Sequence, residues 1–225
     1  MFHVKHRMQK YEPFVDFLLE YNNFINLTSI RNRSDALVKH VEDSLVLSDH
    51  IRNHHPEARR LLDIGTGAGF PGLVLAKEHP HISITLLDAT KKKIRFVEEA
   101  ALFLGANNAC AVADRVEAFT LKNKEVFDVV VVRSVARLDV LLEYAAPLLK
   151  KSGYLLAMKS LDTLDEMSLA DEVASVFGFN VGHSFPYVLL DQKRSILSYR
   201  KIGNPVISLP RKIGEAIKYP IQRRS

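Results

Sequence analysis

The spacing of apolar side chains changes character once along this chain, near residue 60. Before that point apolar residues recur at helical intervals. Within residues 11–27, Phe14, Phe17, Leu18, Tyr21, Phe24 and Ile25 share one face and predict an amphipathic helix. A second helix is expected over 34–51, with Ser34 as its N-cap and Leu37, Val41, Leu45 and either Leu47 or Ser48 on the buried side. The charged stretch 52–60, which holds Pro56, His54 and His55, then reads as a solvated linker.

From Leu61 onward short apolar runs alternate with helical stretches. Strands are predicted at 61–64, 82–88, 110–113, 127–132 and 153–159, and helices at 72–79, 91–104, 140–149 and 164–177. Pro71 and Pro80 bracket the first of these helices, and Gly105 ends the second as a C′ residue. The valines at 129–132 suit a strand buried on both faces. Segments 179–189 and 195–202 flank the turn 190–194 and predict an antiparallel hairpin at one sheet edge. This alternation implies an α/β fold: a doubly wound, mostly parallel, seven-stranded Rossmann-like sheet with an N-terminal helical cap. Three regions follow, a cap at 1–58, the sheet domain at 59–202 and a tail at 203–225. Ligands of such sheets bind beyond the C-terminal strand ends. That rule selects Gly65, Asp88, residues 114–117, Arg133 and Lys159.

Charge alters the picture only at the end of the chain. From residue 200 onward there are seven basic residues (Arg200, Lys201, Arg211, Lys212, Lys218, Arg223 and Arg224) against Glu215 alone. That segment carries +6 of a net +5, so the first 199 residues are close to neutral at −1. A basic tail is either a phosphate-contacting arm or a solvated end. Cys110 is the single cysteine, which excludes an intramolecular disulfide framework and suits a reducing cytosol. Its place inside a strand predicts a small buried hydrophobe rather than a nucleophile. No apolar run is long enough to span a bilayer, and the N-terminus lacks the apolar core of a secretory leader. A cytoplasmic protein without membrane contact is expected, and a monomer. No His, Cys or acid cluster has metal-ligand spacing.

The chemistry concentrates in LLDIGTGAGFPG, residues 61–72, and in ITLLDA, residues 84–89. A strand, a glycine turn, a helix start and an acid at the next strand end describe a nucleoside-binding edge. Two glycine patterns overlap: 67–72 matches G-x-G-x-x-G, and 65–69 matches the G-x-G-x-G loop of S-adenosylmethionine enzymes. The first glycine after the strand is Gly65, preceded by Asp63. An acid there opposes a pyrophosphate and suits the ammonium of S-adenosylmethionine. Asp88, about 20 residues on, suits ribose hydroxyls in either case. Lys91–Lys93 open a helix, where cations oppose its dipole, so a ligand-facing role competes with simple solvation.

Seven segments carry a more specific likeness: NLTSI (26–30), KHVEDSL (39–45), DIGTGAGFPG (63–72), LLDATKKKIRF (86–96), RVEAF (115–119), FDVVVVRSVA (127–136) and LLAMKS (155–160). In this order they resemble the RsmG (GidB) family of bacterial small-subunit rRNA methyltransferases. The resemblance implies a class I S-adenosylmethionine-dependent fold. It also implies methyl transfer to N7 of a guanine in the 530 loop of 16S rRNA (G527 in the family), with that rRNA, the small subunit or its precursor as partner. It places Gly65, Gly67 and Phe70 against the cofactor, Asp88 on its ribose and Val116 and Glu117 at its adenine, with Arg133 completing the pocket. Arg133 and Lys159 are the candidate catalytic residues, and no metal is implied. Ser134 stands where the family usually has Ala, Ser160 where it has Gly, and Tyr21 and Asn22 where it has a tryptophan. The chemistry is consistent: guanine N7 is already nucleophilic and asks for positioning rather than a base. Methylation of another RNA atom or a small molecule remains an alternative. So does a nucleotide-dependent oxidoreductase, or an RNA-binding module without catalysis. For Arg133 the competing reading is a salt bridge to Glu117 or Asp88, and His40 and Asp43 either face the cleft or simply pair.

Overall fold

A computed structural model describes residues 2–161 and 164–222. The N-terminal part is more subdivided than its apolar periodicity predicts. Helix α1 (Phe2–Gln9) lacks an apolar stripe and was not expected. It docks through Arg7, whose guanidinium donates to Asp49 and Glu78, while the Tyr11 hydroxyl donates to the same Glu78. Helix α2 (Glu12–Tyr21) stops short of residue 27. The buried Asn22 draws the chain out of the helix: its carbonyl oxygen accepts from the Leu27 and Thr28 amides and its amide group donates to the Thr28 carbonyl. Helix α3 (Arg33–Ala36) is capped by Asn32 rather than Ser34, because the Asn32 side chain accepts from the Ser34 and Asp35 amides. A π-helical turn (Leu37–Glu42) joins α3 to α4 (Asp43–His54). Such turns rotate the side chains beyond them, and they recur at functional sites.

The remaining elements alternate as expected, except that two short helices at 116–120 and 215–218 are additional and the fifth strand already begins at Leu149, where a helix was expected to end. They are β1 (Arg60–Ile64), α5 (Gly72–Glu78), β2 (Ser83–Asp88), α6 (Lys91–Leu104), β3 (Ala109–Ala113), α7 (Val116–Thr120), β4 (Phe127–Arg133), α8 (Leu138–Ala145), β5 (Leu149–Ser160), α9 (Leu164–Ala174), β6 (His183–Leu189) and β7 (Gln192–Arg200), with a last turn of helix α10 (Glu215–Lys218). The sheet has seven strands in the order β3-β2-β1-β4-β5-β7-β6. Strands β1 to β5 are parallel, and β7 runs antiparallel to both its neighbours. The hairpin turn is tighter than expected: Leu190 and Asp191, both at positive φ, form a two-residue connection, so β7 already starts at Gln192.

Alternation along the strands divides the core. Val129 and Val131 face the N-terminal helices with Phe14, Leu18, Val41 and Leu45, whereas Val130 and Val132 face α8 and α9 with Leu141, Val173 and Phe177. The cap therefore shares one continuous core with the sheet. The tail is packed as well: Leu209 and Ala216 belong to the second core, and just before it the buried Lys201 ammonium is held by Glu125 and the Leu149 carbonyl. It is therefore not a wholly solvated end, although Lys212 and Lys218 stay exposed and Arg223 and Arg224 lie outside the described residues. Cys110 is exposed rather than buried, because β3 is an edge strand. His55 is not the solvated linker residue expected. It stacks near Tyr154 and His50, with its Nε2 buried and unpartnered, and burial pushes its value down to about 4. Among the described residues no helix is long and apolar enough to cross a membrane.

Candidate active site

The C-terminal ends of β1, β2 and β4, the π-helical turn, the start of α7 and the β6–β7 hairpin surround a cavity of about 630 Å³. Its floor is the glycine loop. Gly65 and Gly67 have φ of +70° and +58°, the left-handed region that glycine enters without strain. A Cβ on Gly65 would lie 2.3 Å from the Val135 side chain, so that loop and the loop after β4 close against each other. Above Gly67 a Cβ would meet nothing nearer than 3.8 Å, which leaves backbone open to a ligand.

At the end of β2, Asp88 accepts from the Gly67 amide at 3.1 Å through one oxygen and from the Thr90 amide at 2.8 Å through the other. Each oxygen retains acceptor capacity for a hydroxyl donor. A half-buried carboxylate beside open glycine backbone is what an adenosyl ribose requires, so the residues present fit S-adenosylmethionine. Asp63 has a different place from the one expected. It lies beneath the loop, fully buried and outside the cavity lining, where one oxygen accepts from the Thr66 hydroxyl at 2.7 Å and the Gly72 amide at 3.0 Å. Its second oxygen is buried and unpartnered, and burial raises the carboxyl to about 6 against the opposing pull of those hydrogen bonds and Arg133.

Gly65, Gly67, Phe70, Asp88, Val116, Glu117 and Arg133 all line the cavity. Arg133 pairs with neither Glu117 nor Asp88. Its guanidinium donates to the Lys39 carbonyl at 2.9 Å, to Asp43 at 3.2 Å and to His40 Nδ1 at 3.1 Å. Since Arg can only donate, Nδ1 accepts and the His40 proton sits on Nε2, directed at the Thr28 hydroxyl 3.0 Å away. Burial, followed by the charges of Arg133 and Lys39, pushes His40 down to about 3, so the ring is neutral. It stacks on Phe70 with centroids 4.8 Å apart, and Phe70 in turn packs on Phe14 of α2. The fully buried Asp43 is the junction: Arg133, Arg194 and the Tyr187 hydroxyl all converge on its carboxylate. Thus both His40 and Asp43 border the cavity and both are paired.

Lys159 does not reach the cavity lining. Its ammonium is taken by the Ala136 carbonyl and Glu166, each at 2.7 Å. Of Lys91–Lys93 only Lys93 lines the cavity. Arg194, Tyr144 and Ile217 were missed by sequence reasoning. For Arg194 a signal existed: a hairpin next to β5 returns its turn to the ligand edge, and Arg194 pairs in register with Ser160 there. Nothing in the local pattern marks Tyr144 or Ile217. Among the described residues no group of three or more His, Cys, Asp and Glu is arranged to hold a metal ion.

Comparison with known proteins bears on the family and the fold. A family model described as rRNA small subunit methyltransferase G (GidB) matches residues 7–195. The chain is 37% identical to the ribosomal RNA small subunit methyltransferase G of Caldicellulosiruptor bescii, over 97% of this chain and 92% of that one. To the Bacillus subtilis protein of the same name it is 33% identical, over 96% and 91%. Among solved structures, the O-methyltransferase TomG of Streptomyces achromogenes, in complex with SAM, superposes with a TM-score of 0.62 at 14% identity, covering 84% of this chain and 89% of that one. A variant 16S rRNA (adenine(1408)-N(1))-methyltransferase from Catenulisporales acidiphilia gives 0.54 at 18% identity, over 70% and 92%. The fold is therefore that of class I S-adenosylmethionine-dependent methyltransferases, and the chain belongs to the GidB family, rRNA small subunit methyltransferase G.

Proposed function

We propose that this S-adenosylmethionine-dependent rRNA methyltransferase acts on N7 of a guanine in the 530 loop of 16S rRNA, G527 in the family, in the cytoplasm. The observation that carries the choice of atom is the pairing of His40 and Asp43. Both stand beside Arg133 on the cavity wall, and both have their basic atoms engaged. An exocyclic amine or a hydroxyl needs a proton removed during methyl transfer, whereas guanine N7 presents its lone pair without a base. S-adenosylmethionine, when bound, supplies the electrophilic methyl group.

The chain's own residues bind and orient. Asp88 holds the ribose, Gly67 lets the cofactor approach the backbone, Gly65 lies against the cofactor in the turn closed by Val135, and Val116 and Glu117 border the adenine. Phe70, backed by His40, gives the pocket a rigid apolar wall that excludes water, and Arg133 ties that wall to the end of β4. Lys159 acts at one remove: through the Ala136 carbonyl it fixes the loop whose Ser134 and Val135 line the cavity. Lys93 and Arg115, on the same rim, supply positive charge for the RNA backbone. Asp88→Ala should raise the Kd for S-adenosylmethionine at least tenfold in calorimetry with the melting temperature little changed; an unaltered Kd would remove Asp88 from the site. The atom is tested by borohydride–aniline treatment of methylated small-subunit RNA, where a strand break at that loop is expected and its absence refutes N7.

A further inference from the structure

The C-terminal tail reaches the cavity from the side opposite the cap. Arg211 anchors it. Its guanidinium pairs through two nitrogens with Glu143 of α8, a carboxylate only 4% exposed, and donates to the Tyr219 carbonyl at 3.0 Å. This fastens the turn 211–214 so that the Gly214 amide donates to Glu117 at 2.8 Å. Glu117 is itself 7% exposed, so the Gly214 amide helps set the direction of its carboxylate. One helical turn further on, Ile217 lines the cavity while remaining 61% exposed. A large apolar side chain left open at the rim of a polar cleft is what an aromatic base would cover.

We propose that residues 209–219 form the adenine-side wall of the cofactor pocket, with Arg211 as a positioning residue acting through Glu117 and Ile217 as a direct contact. This rests on the reading that Val116 and Glu117 border the adenine. Arg211 then serves the cofactor rather than the RNA, since its charge is spent on Glu143. By linkage, cofactor binding and tail docking must favour each other to the same degree.

The test uses the full chain. Arg211→Ala should raise Kd and KM for S-adenosylmethionine about tenfold and Ile217→Ala about threefold. The KM for RNA, the salt slope of RNA binding and kcat at saturating cofactor should stay within twofold of wild type. Arg211→Lys should recover part of the loss. In the unaltered protein, saturating S-adenosylhomocysteine should slow tryptic cleavage after Lys212 and Lys218 several-fold. If Arg211→Ala does not fold, Ile217→Ala on an exposed side chain and the cleavage assay decide alone. Wild-type cofactor affinity in Ile217→Ala together with unprotected cleavage overturns the proposal, as does a change confined to the KM for RNA. Glu117→Ala run in parallel separates the two ideas. If it binds cofactor normally, the adenine reading itself fails; if it weakens binding while the tail variants do not, only the tail proposal falls.

Discussion

Asp63 shows how one residue can be recognised correctly as important and placed wrongly. The pattern of an acid before a glycine turn is equally compatible with a carboxylate facing the ligand and one holding the loop from below. The Thr66 hydroxyl and the Gly72 amide decide for the second, and they cost the protein a buried charge. The carboxyl's folded value of about 6 lies above its ordinary 3.8, so its protonated form favours folding at low pH and that contribution is lost as pH rises through 6. Asp63→Asn keeps an acceptor for both donors and removes the charge. Its stability relative to wild type, measured by denaturant unfolding, should therefore improve by up to about 3 kcal/mol between pH 4 and pH 7. A difference that stays flat with pH would show Asp63 ionised without penalty. Lys159 repeats the lesson at a strand end: a polar residue at the ligand edge was legible, but its partner Glu166, seven residues later on α9, was not.

Among elements, the π-helical turn and the β6–β7 hairpin contribute most beyond the generic sheet. Neither is legible in full. A π turn has the same apolar spacing as a helix to within one residue, and the hairpin's strands were found while its turn was drawn too long. Together they bring Lys39, His40 and Asp43 to Arg133, and Tyr187 and Arg194 to Asp43. Removing one member of a buried ionic group leaves the others without compensation, at roughly 3–5 kcal/mol. Asp43→Ala should cost that much in chemical unfolding and should raise amide exchange in both α4 and β7. A loss below about 1 kcal/mol would mean that the two guanidiniums find water or other partners. Strands β1, β2 and β4 and helices α5 and α6, by contrast, follow the sequence closely, because the strands are mostly apolar runs and the helices are stopped at Pro80 and Gly105. The five-residue α7 is too short for any period to register.

At the level of the whole molecule, acid stability draws on imidazoles that fold in the neutral form, beside paired carboxylates such as Glu78. His40 is held near 3, and His50 and His55 near 4, chiefly by burial. Their folded values lie below the ordinary 6.5, so their contribution is complete above pH 6.5 and is lost as pH falls. Each should withdraw about 1.4 kcal/mol per pH unit until its own folded value is reached. His50→Gln should therefore shallow the fall in stability between pH 6.5 and pH 4 by about one proton's worth, a slope that urea titrations at several pH values measure; an unchanged slope would show His50 already solvated. The tail was the least legible part of the molecule. Its charge speaks of solvent, while Ile207, Leu209 and Ala216, which hold it on the second core, are too irregularly spaced to signal packing. Asp43 has a consequence for the order in which the protein comes into being. Its three partners lie 90, 144 and 151 residues further along the chain. Synthesis delivers the cap helices early and Arg194 late, and loops of this length close only after the strands between them have been made. Until then Asp43 stays in water and the pocket has no wall on the hairpin side. The hairpin side of the pocket is thus closed by the most distant of the contacts that Asp43 makes.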